Sequence, residues 1–179
     1  MSRDALVIGI GQYENLENLK AAARDSEAIA QRLERDGGFR VRRLPEVSRD
    51  GALKVAKTQR VFLPELKQAL VDLFKPDGEQ YPDTALLHFS GHGVRDSLGL
   101  SDGYLATSEA NLAQNFFGLQ LRWLRRLLEE SPVRQQVVWL DCCHSGEILN
   151  FGEADPGERR KGRDRCFVAA SRDYQLAYE

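Results

Sequence analysis

Two short segments of this 179-residue chain carry side chains suited to nucleophilic chemistry. One is Ser90-Gly91-His92-Gly93; the other is Asp141-Cys142-Cys143-His144-Ser145-Gly146. A thiol attacks a carbonyl as the thiolate, and an ordinary cysteine is mostly protonated near neutral pH. A neighbouring imidazole can take that proton and later return it to a departing amine. The tetrahedral oxyanion then needs donors already in place, a task that backbone N–H groups of small loop residues perform well. Gly93 and Cys143 supply such amides, and a glycine lets substrate approach the backbone closely.

Other chemistry fits these residues less well. Cys142, Cys143 and His144 are adjacent rather than spaced as zinc ligands are, so no metal site is expected. Gly9-Ile10-Gly11 has two glycines of a phosphate-binding loop but not the third, nor the Lys-Ser/Thr pair. His88 lies inside an apolar run and reads as a buried, hydrogen-bonded histidine. Cys142 and Cys166 read as structural, because reactive cysteines need a polar, accessible setting.

The elements that must position His92 and Cys143 follow from the pattern of apolar residues. Ala5–Ile10 is a continuous apolar run, as in a strand buried on both faces. Leu16, Leu19, Ala23, Ser26, Ala30 and Leu33 fall on one helical stripe, ended by Gly37-Gly38. Phe39–Leu44 reads as a strand near an edge, stopped by Pro45. Residues 48–60 are ambiguous. Leu63, Leu66, Leu70 and Leu73 mark a second helix with Pro64 in its first turn. Thr84–Phe89 is a strand that runs directly into the histidine turn. Residues 94–118 read as a long loop with a short hairpin around Gly103-Tyr104-Leu105. Leu121, Leu124 and Leu128 face inward from a third helix, and Gln136–Leu140 is the strand that delivers the cysteines. Residues 150–165 read as a mobile charged loop, and Cys166–Ala170 as a fifth strand.

Strands alternate with helices, which predicts an α/β fold: a mostly parallel sheet with helices on both faces. Reactive groups in such sheets gather beyond the carboxyl ends of the strands. His92 and Cys143 both fall there, so neighbouring strands would bring them together.

Bulk properties set the remaining bounds. The length suits one domain, and 29% of residues are charged with a formal net charge of −2. No clearly basic face indicates nucleic acid, and no apolar stretch is long enough to span a bilayer. Three cysteines, two of them adjacent, argue against a disulfide framework and for a reducing compartment, so a cytoplasmic location is expected.

The ordered segments resemble those of caspase-like cysteine peptidases, especially metacaspases and bacterial caspase-homologous proteases. The resemblance rests on Gly9-Ile10-Gly11-Gln12-Tyr13, Arg24-Asp25-Ser26, Ser90-Gly91-His92-Gly93, Asp141 through Gly146, and Ala169-Ala170-Ser171. It spans nearly the whole chain. In caspases the histidine precedes the cysteine by roughly 50 residues; here it precedes it by 51 positions. The resemblance implies a caspase-hemoglobinase-like three-layer sandwich over residues 1–179 and peptide-bond hydrolysis. It assigns the nucleophile to Cys143, directly before His-Ser-Gly, rather than to Cys142.

It also implies an S1 pocket made of Asp25, Ser90 and Asp141. Two carboxylates in a small cleft favour a cation, and arginine fits best, so cleavage after Arg, with Lys second, is expected. The loop bearing Arg159, Arg160, Lys161, Arg163 and Arg165 occupies the place of the linker that caspases cut on activation. It becomes a candidate for self-cleavage or for cleavage by an upstream activating protease.

Many metacaspases bind calcium through an acidic cluster after the histidine. Only Asp96, Asp102 and Glu109 are found there, so no metal or other cofactor is expected. The family pattern continues beyond the fifth strand. The chain thus reads as truncated, with a C-terminal remainder or second processed subunit as partner beside the protein or peptide substrate. A role in bacterial defence or cell death follows by analogy. The competing readings are a non-catalytic caspase-like interaction module in a signalling protein and another thiol enzyme, such as an acyltransferase, on a similar scaffold.

Overall fold

The computed structural model describes residues 1–78, 80–96, 102–142 and 164–170. Its centre is a five-stranded parallel sheet in the order β10-β9-β5-β1-β2. Those strands are β1 (Arg3–Gly9), β2 (Arg40–Leu44), β5 (Thr84–Ser90), β9 (Gln135–Asp141) and β10 (Asp164–Ala169). Among the described residues the α-helices are α1 (Ala22–Arg35), α2 (Leu63–Phe74) and α3 (Leu121–Glu130).

The two sheet faces differ in composition, and that difference sorts the helices. Strand side chains alternate, so residues paired in parallel register share a face. Leu6 and Ile8, Ala85, Leu87 and Phe89, and Val138 and Leu140 line one face. They form the main core with Leu66, Ala69, Leu70, Leu73 and Phe74 of α2 and with Leu121, Leu124, Leu127 and Leu128 of α3. The apolar positions of both helices recur at three- and four-residue steps, which gives each a single buried stripe.

The other face receives α1. Its buried residues, Ala22, Ala23, Ser26 and Ala30, are small. The helix therefore lies close against β1: a Cβ on Gly9 would stand 2.9 Å from both the Ala22 carbonyl oxygen and the Ser26 Oγ. Ser26 donates its hydroxyl to the Ile8 carbonyl. At the far end of α1, Arg43 of β2, only 4% exposed, is clasped by Glu27 and Glu34. Glu27 also accepts the Val55 amide. Both carboxyls are held below the usual range: burial opposes ionisation of Glu27, but its bonds to Arg43 and Val55 prevail, and Arg43 dominates at Glu34.

Three local expectations change. The stripe beginning at Leu16 does not mark the helix start, because α1 begins at Ala22. Residues 11–21 instead fold back on themselves, with Leu19 donating to the Gly11 carbonyl and the Tyr13 amide donating to the Asn18 side chain. Leu16 and Leu19 still pack on the core, from a loop rather than a helix, which is why their spacing misleads. The ambiguous 48–60 region contains a two-stranded hairpin, β3 (Glu46–Arg49) and β4 (Ala52–Val55). Its turn uses Asp50 and Gly51, both at positive φ.

After the histidine, the expected pairing around Gly103-Tyr104-Leu105 is present, but as part of a small three-stranded antiparallel sheet. Its strands are β6 (Gly93–Arg95), β7 (Gly103–Leu105) and β8 (Leu119–Gln120). Strands this short carry too few alternating residues to show a period.

Candidate active site

The turn after β5 meets the loop after β1 where the chain reverses its direction across the sheet. The chain steps from β1 outward to β2, then crosses back to β5 on the other side of β1. Loops leaving two such neighbouring strands diverge and open a crevice at their carboxyl ends. Gly9, Ser90 and Asp141 lie side by side there, paired across β1, β5 and β9. Ser90 is nearly buried, whereas Asp141 is exposed at the rim.

His92 stands two residues beyond Ser90, and the 11–20 loop holds it from three directions. Its Nε2 lies 2.8 Å from the Glu17 carbonyl oxygen. A carbonyl can only accept, so this bond places the imidazole hydrogen on Nε2. In the neutral ring Nδ1 then keeps its lone pair. The backbone N–H of His92 donates to the Tyr13 hydroxyl at 2.9 Å. The two rings pack with centroids 4.8 Å apart.

Gly93 follows at the start of β6. The Ala106 amide donates to the His92 carbonyl, and Gly93 pairs with Leu105. That pattern makes Gly93 a non-hydrogen-bonded position of the antiparallel ladder, so its N–H points away from β7.

The acidic residues group on the α1 side. Asp25 lies in the first turn of α1, which Gly9 and Ser26 hold against the strand ends. Its carboxylate accepts from Arg24 at 2.8 Å, in a half-exposed pair. Although Asp141 is exposed at the rim, its carboxyl is partly desolvated, and that, followed by the charge of Asp25, pushes it above the usual carboxylate range. The fold therefore brings two acids within electrostatic reach of each other.

Cys143 lies outside the described residues, as do Arg159, Arg160, Lys161 and Arg163. The preceding Cys142 is 3% exposed and belongs to the main core, as a structural cysteine should. Cys166 differs from expectation, because it is exposed on the edge strand β10. Arg165 also differs. It belongs to β10 rather than to a loop, and its guanidinium donates to the Gln136 side chain and the Leu128 carbonyl. His88 is buried as expected, yet its Nδ1 has no hydrogen-bond partner. Its ring meets the edge of Trp139, and burial pushes its pKa down to about 4.

Two of the acids after the histidine, Asp102 and Glu109, accept hydrogen bonds within the fold. Asp102 accepts from Gln120 and Arg122, and Glu109 accepts the Leu63 amide at the start of α2. No group of three or more His, Cys, Asp or Glu side chains among the described residues is placed to hold one metal ion. Among the described residues no helix is long and apolar enough to cross a membrane.

Sequence reasoning missed two parts of this site. Tyr13 stood within a quoted segment with no role attached. The Glu17 carbonyl could not be found from side-chain types, because any residue can supply it.

Comparison with known proteins agrees with this architecture. A solved structure of protein GSU0716 from Geobacter sulfurreducens superposes with a TM-score of 0.59 at 22% identity. The match covers 85% of this chain and 54% of that one, so the chain spans about half the length of that protein. No curated protein matches the chain significantly. The family model of the caspase domain, peptidase C14, matches residues 2–178, and the chain belongs to this caspase-domain family of cysteine peptidases.

Proposed function

We propose that this chain is a cysteine endopeptidase that cleaves peptide bonds after Arg, and after Lys less well, using His92 and Cys143. The observation that carries the reading is the register of β5 against β9. Ser90 pairs with Asp141, so His92 and Cys143 each follow by two residues at adjacent strand ends. Family membership supplies the reaction class.

The residues then divide the work as follows. The Glu17 carbonyl holds the Nε2 hydrogen and leaves Nδ1 to accept the Cys143 proton. The thiolate attacks the scissile carbonyl carbon, and the π-bond electrons move onto its oxygen. The amides of Gly93 and Cys143 receive that oxyanion. Imidazolium returns the proton to the leaving amine as the C–N bond breaks. Water, deprotonated by the same imidazole, then hydrolyses the thioester and restores the thiol.

Asp25 and Asp141, with Ser90 between the strand ends, hold the guanidinium of the residue before the cut. The raised pKa of Asp141 supports this, because a basic side chain beside it would supply the positive charge that favours its ionised form. Substrates are proteins or peptides. The basic segment from Arg159 to Arg163 is a candidate processing site for this enzyme or for an upstream protease. A regulated role in defence or cell death belongs to the same reading.

The test uses fluorogenic peptides ending in Arg, Lys or Asp, with the parent chain and Cys143→Ala. Cleavage of the Arg peptide above Lys, abolished in the variant, is the expected result. A preference for Asp would overturn the pocket assignment; full activity in Cys143→Ala would overturn the nucleophile.

A further inference from the structure

The loop after β1 does more than join two elements. Tyr13 is 6% exposed, although it lies in a loop. Its hydroxyl accepts the backbone N–H of His92, and its ring lies against the imidazole. The fit is tight. A Cβ on Gly91 would stand 2.8 Å from the Tyr13 hydroxyl oxygen, so a side chain there would push the tyrosine from its place.

The loop is also anchored independently of His92. Tyr13 donates its amide to the Asn18 side chain, and Glu14 donates its amide to the Ser108 carbonyl. Leu19 closes the loop onto Gly11. Arg60 pairs with the Glu14 carboxylate. The same loop presents the Glu17 carbonyl to Nε2.

We propose that Tyr13 is a positioning residue for His92: its hydroxyl fixes the histidine backbone while its ring limits the tilt of the imidazole. The proposal rests on the peptidase reading for its catalytic consequence. Backbone and ring are held by one side chain, while the Glu17 carbonyl fixes the tautomer. Removing the hydroxyl leaves a backbone N–H without its acceptor and lets the 90–93 turn shift. A displacement of about 1 Å can cost on the order of a hundredfold in rate.

The experiment compares the parent chain with Tyr13→Phe, which keeps the ring, and with Asn18→Ala, which loosens the loop without touching His92. Three readouts are taken: amide hydrogen exchange at His92, the pH profile of Cys143 alkylation by iodoacetamide, and steady-state cleavage of an Arg peptide. In Tyr13→Phe the exchange should quicken by roughly tenfold or more, as expected when a part-buried bond is lost. The alkylation rate at neutral pH should fall, with its midpoint moved to higher pH, because a displaced imidazole stabilises the thiolate less. The kcat should fall by roughly tenfold or more with KM kept within about twofold. Asn18→Ala should move all three in the same direction by less.

Unchanged alkylation and kcat in Tyr13→Phe, with faster exchange, would overturn the positioning role. Unchanged exchange would overturn the contact itself. The alkylation arm does not need peptide turnover. A parent chain that cleaves no peptide, yet loses thiol reactivity in Tyr13→Phe, would sink the peptidase reading and sustain this one.

Discussion

Asp25 and Asp141 illustrate how one pair of side chains can oppose folding and, under the proposed function, serve binding. The Asp141 pKa is raised by burial and then by Asp25, so its folded value lies above its unfolded value. Such a group contributes stability at low pH, and that contribution is lost as pH rises through the folded value. Its ionised form, which the proposed pocket would use to hold a basic side chain, therefore costs stability. Asp141→Asn should raise the urea midpoint at neutral pH. The same change should lower kcat/KM for Arg peptides by roughly tenfold to a hundredfold, given ~1.5–3 kcal/mol for a hydrogen bond to a charged group. Asp25→Asn should shift the acidic rise in KM to lower pH, because it removes one of the two causes of the raised value. Titration of KM against pH in both variants checks this. An acid limb unmoved in Asp25→Asn would show that the two carboxyls do not share the pocket.

Among the elements, the loop between β1 and α1 is the most constrained. Gly11 has no room for a side chain, since a Cβ would stand 2.6 Å from the Leu19 carbonyl oxygen, a backbone atom that cannot rotate away. Gly11→Ala must therefore push the two arms of the loop apart. The expected cost is about 1–3 kcal/mol, the range for overpacking a tight site, measured by urea unfolding. Because Tyr13 and Glu17 both lie on this loop, kcat should fall as well. Loss of stability with unchanged kcat would mean that the loop is structural and does not hold His92 in its working place. The apolar spacing of Leu16 and Leu19 concealed this loop as a helix. Their burial was legible, but not the non-helical path that achieves it. The hydrogen bonds from Tyr13 to Asn18 and from Leu19 to Gly11 decide that path.

Across the whole molecule, a buried neutral histidine ties stability to pH. His88 pairs in register with Val7 on one side and Trp139 on the other, and burial lowers its pKa to about 4. A base with a depressed folded value contributes stability above its unfolded value of ~6.5. That contribution is lost as pH falls through the folded value. The full swing is roughly 3 kcal/mol at the usual conversion of ~1.4 kcal/mol per pH unit. His88→Leu should flatten the fall in unfolding free energy between pH 6.5 and 4, relative to the parent. Parallel curves for the two proteins would show that other groups govern acid unfolding. The orphaned Nδ1 also makes the parent less stable than its packing alone would give, so the variant should be no weaker at pH 7.

Residue types and their order determined much by themselves. An apolar run followed at once by Ser90-Gly91-His92-Gly93, and another ending in Asp141-Cys142-Cys143, place both segments at strand ends, because continuous apolar runs between polar turns form buried strands. Alternation with amphipathic helices determined the parallel sheet for the same reason. Only the tertiary structure decided that β5 and β9 are neighbours in register, since strand order depends on packing between distant segments rather than on local pattern. It also decided that Arg165 belongs to a strand and that Tyr13 and the Glu17 carbonyl close on His92. A backbone carbonyl carries no residue identity, and a tyrosine 79 residues away in sequence becomes a neighbour only when β1 and β5 pair.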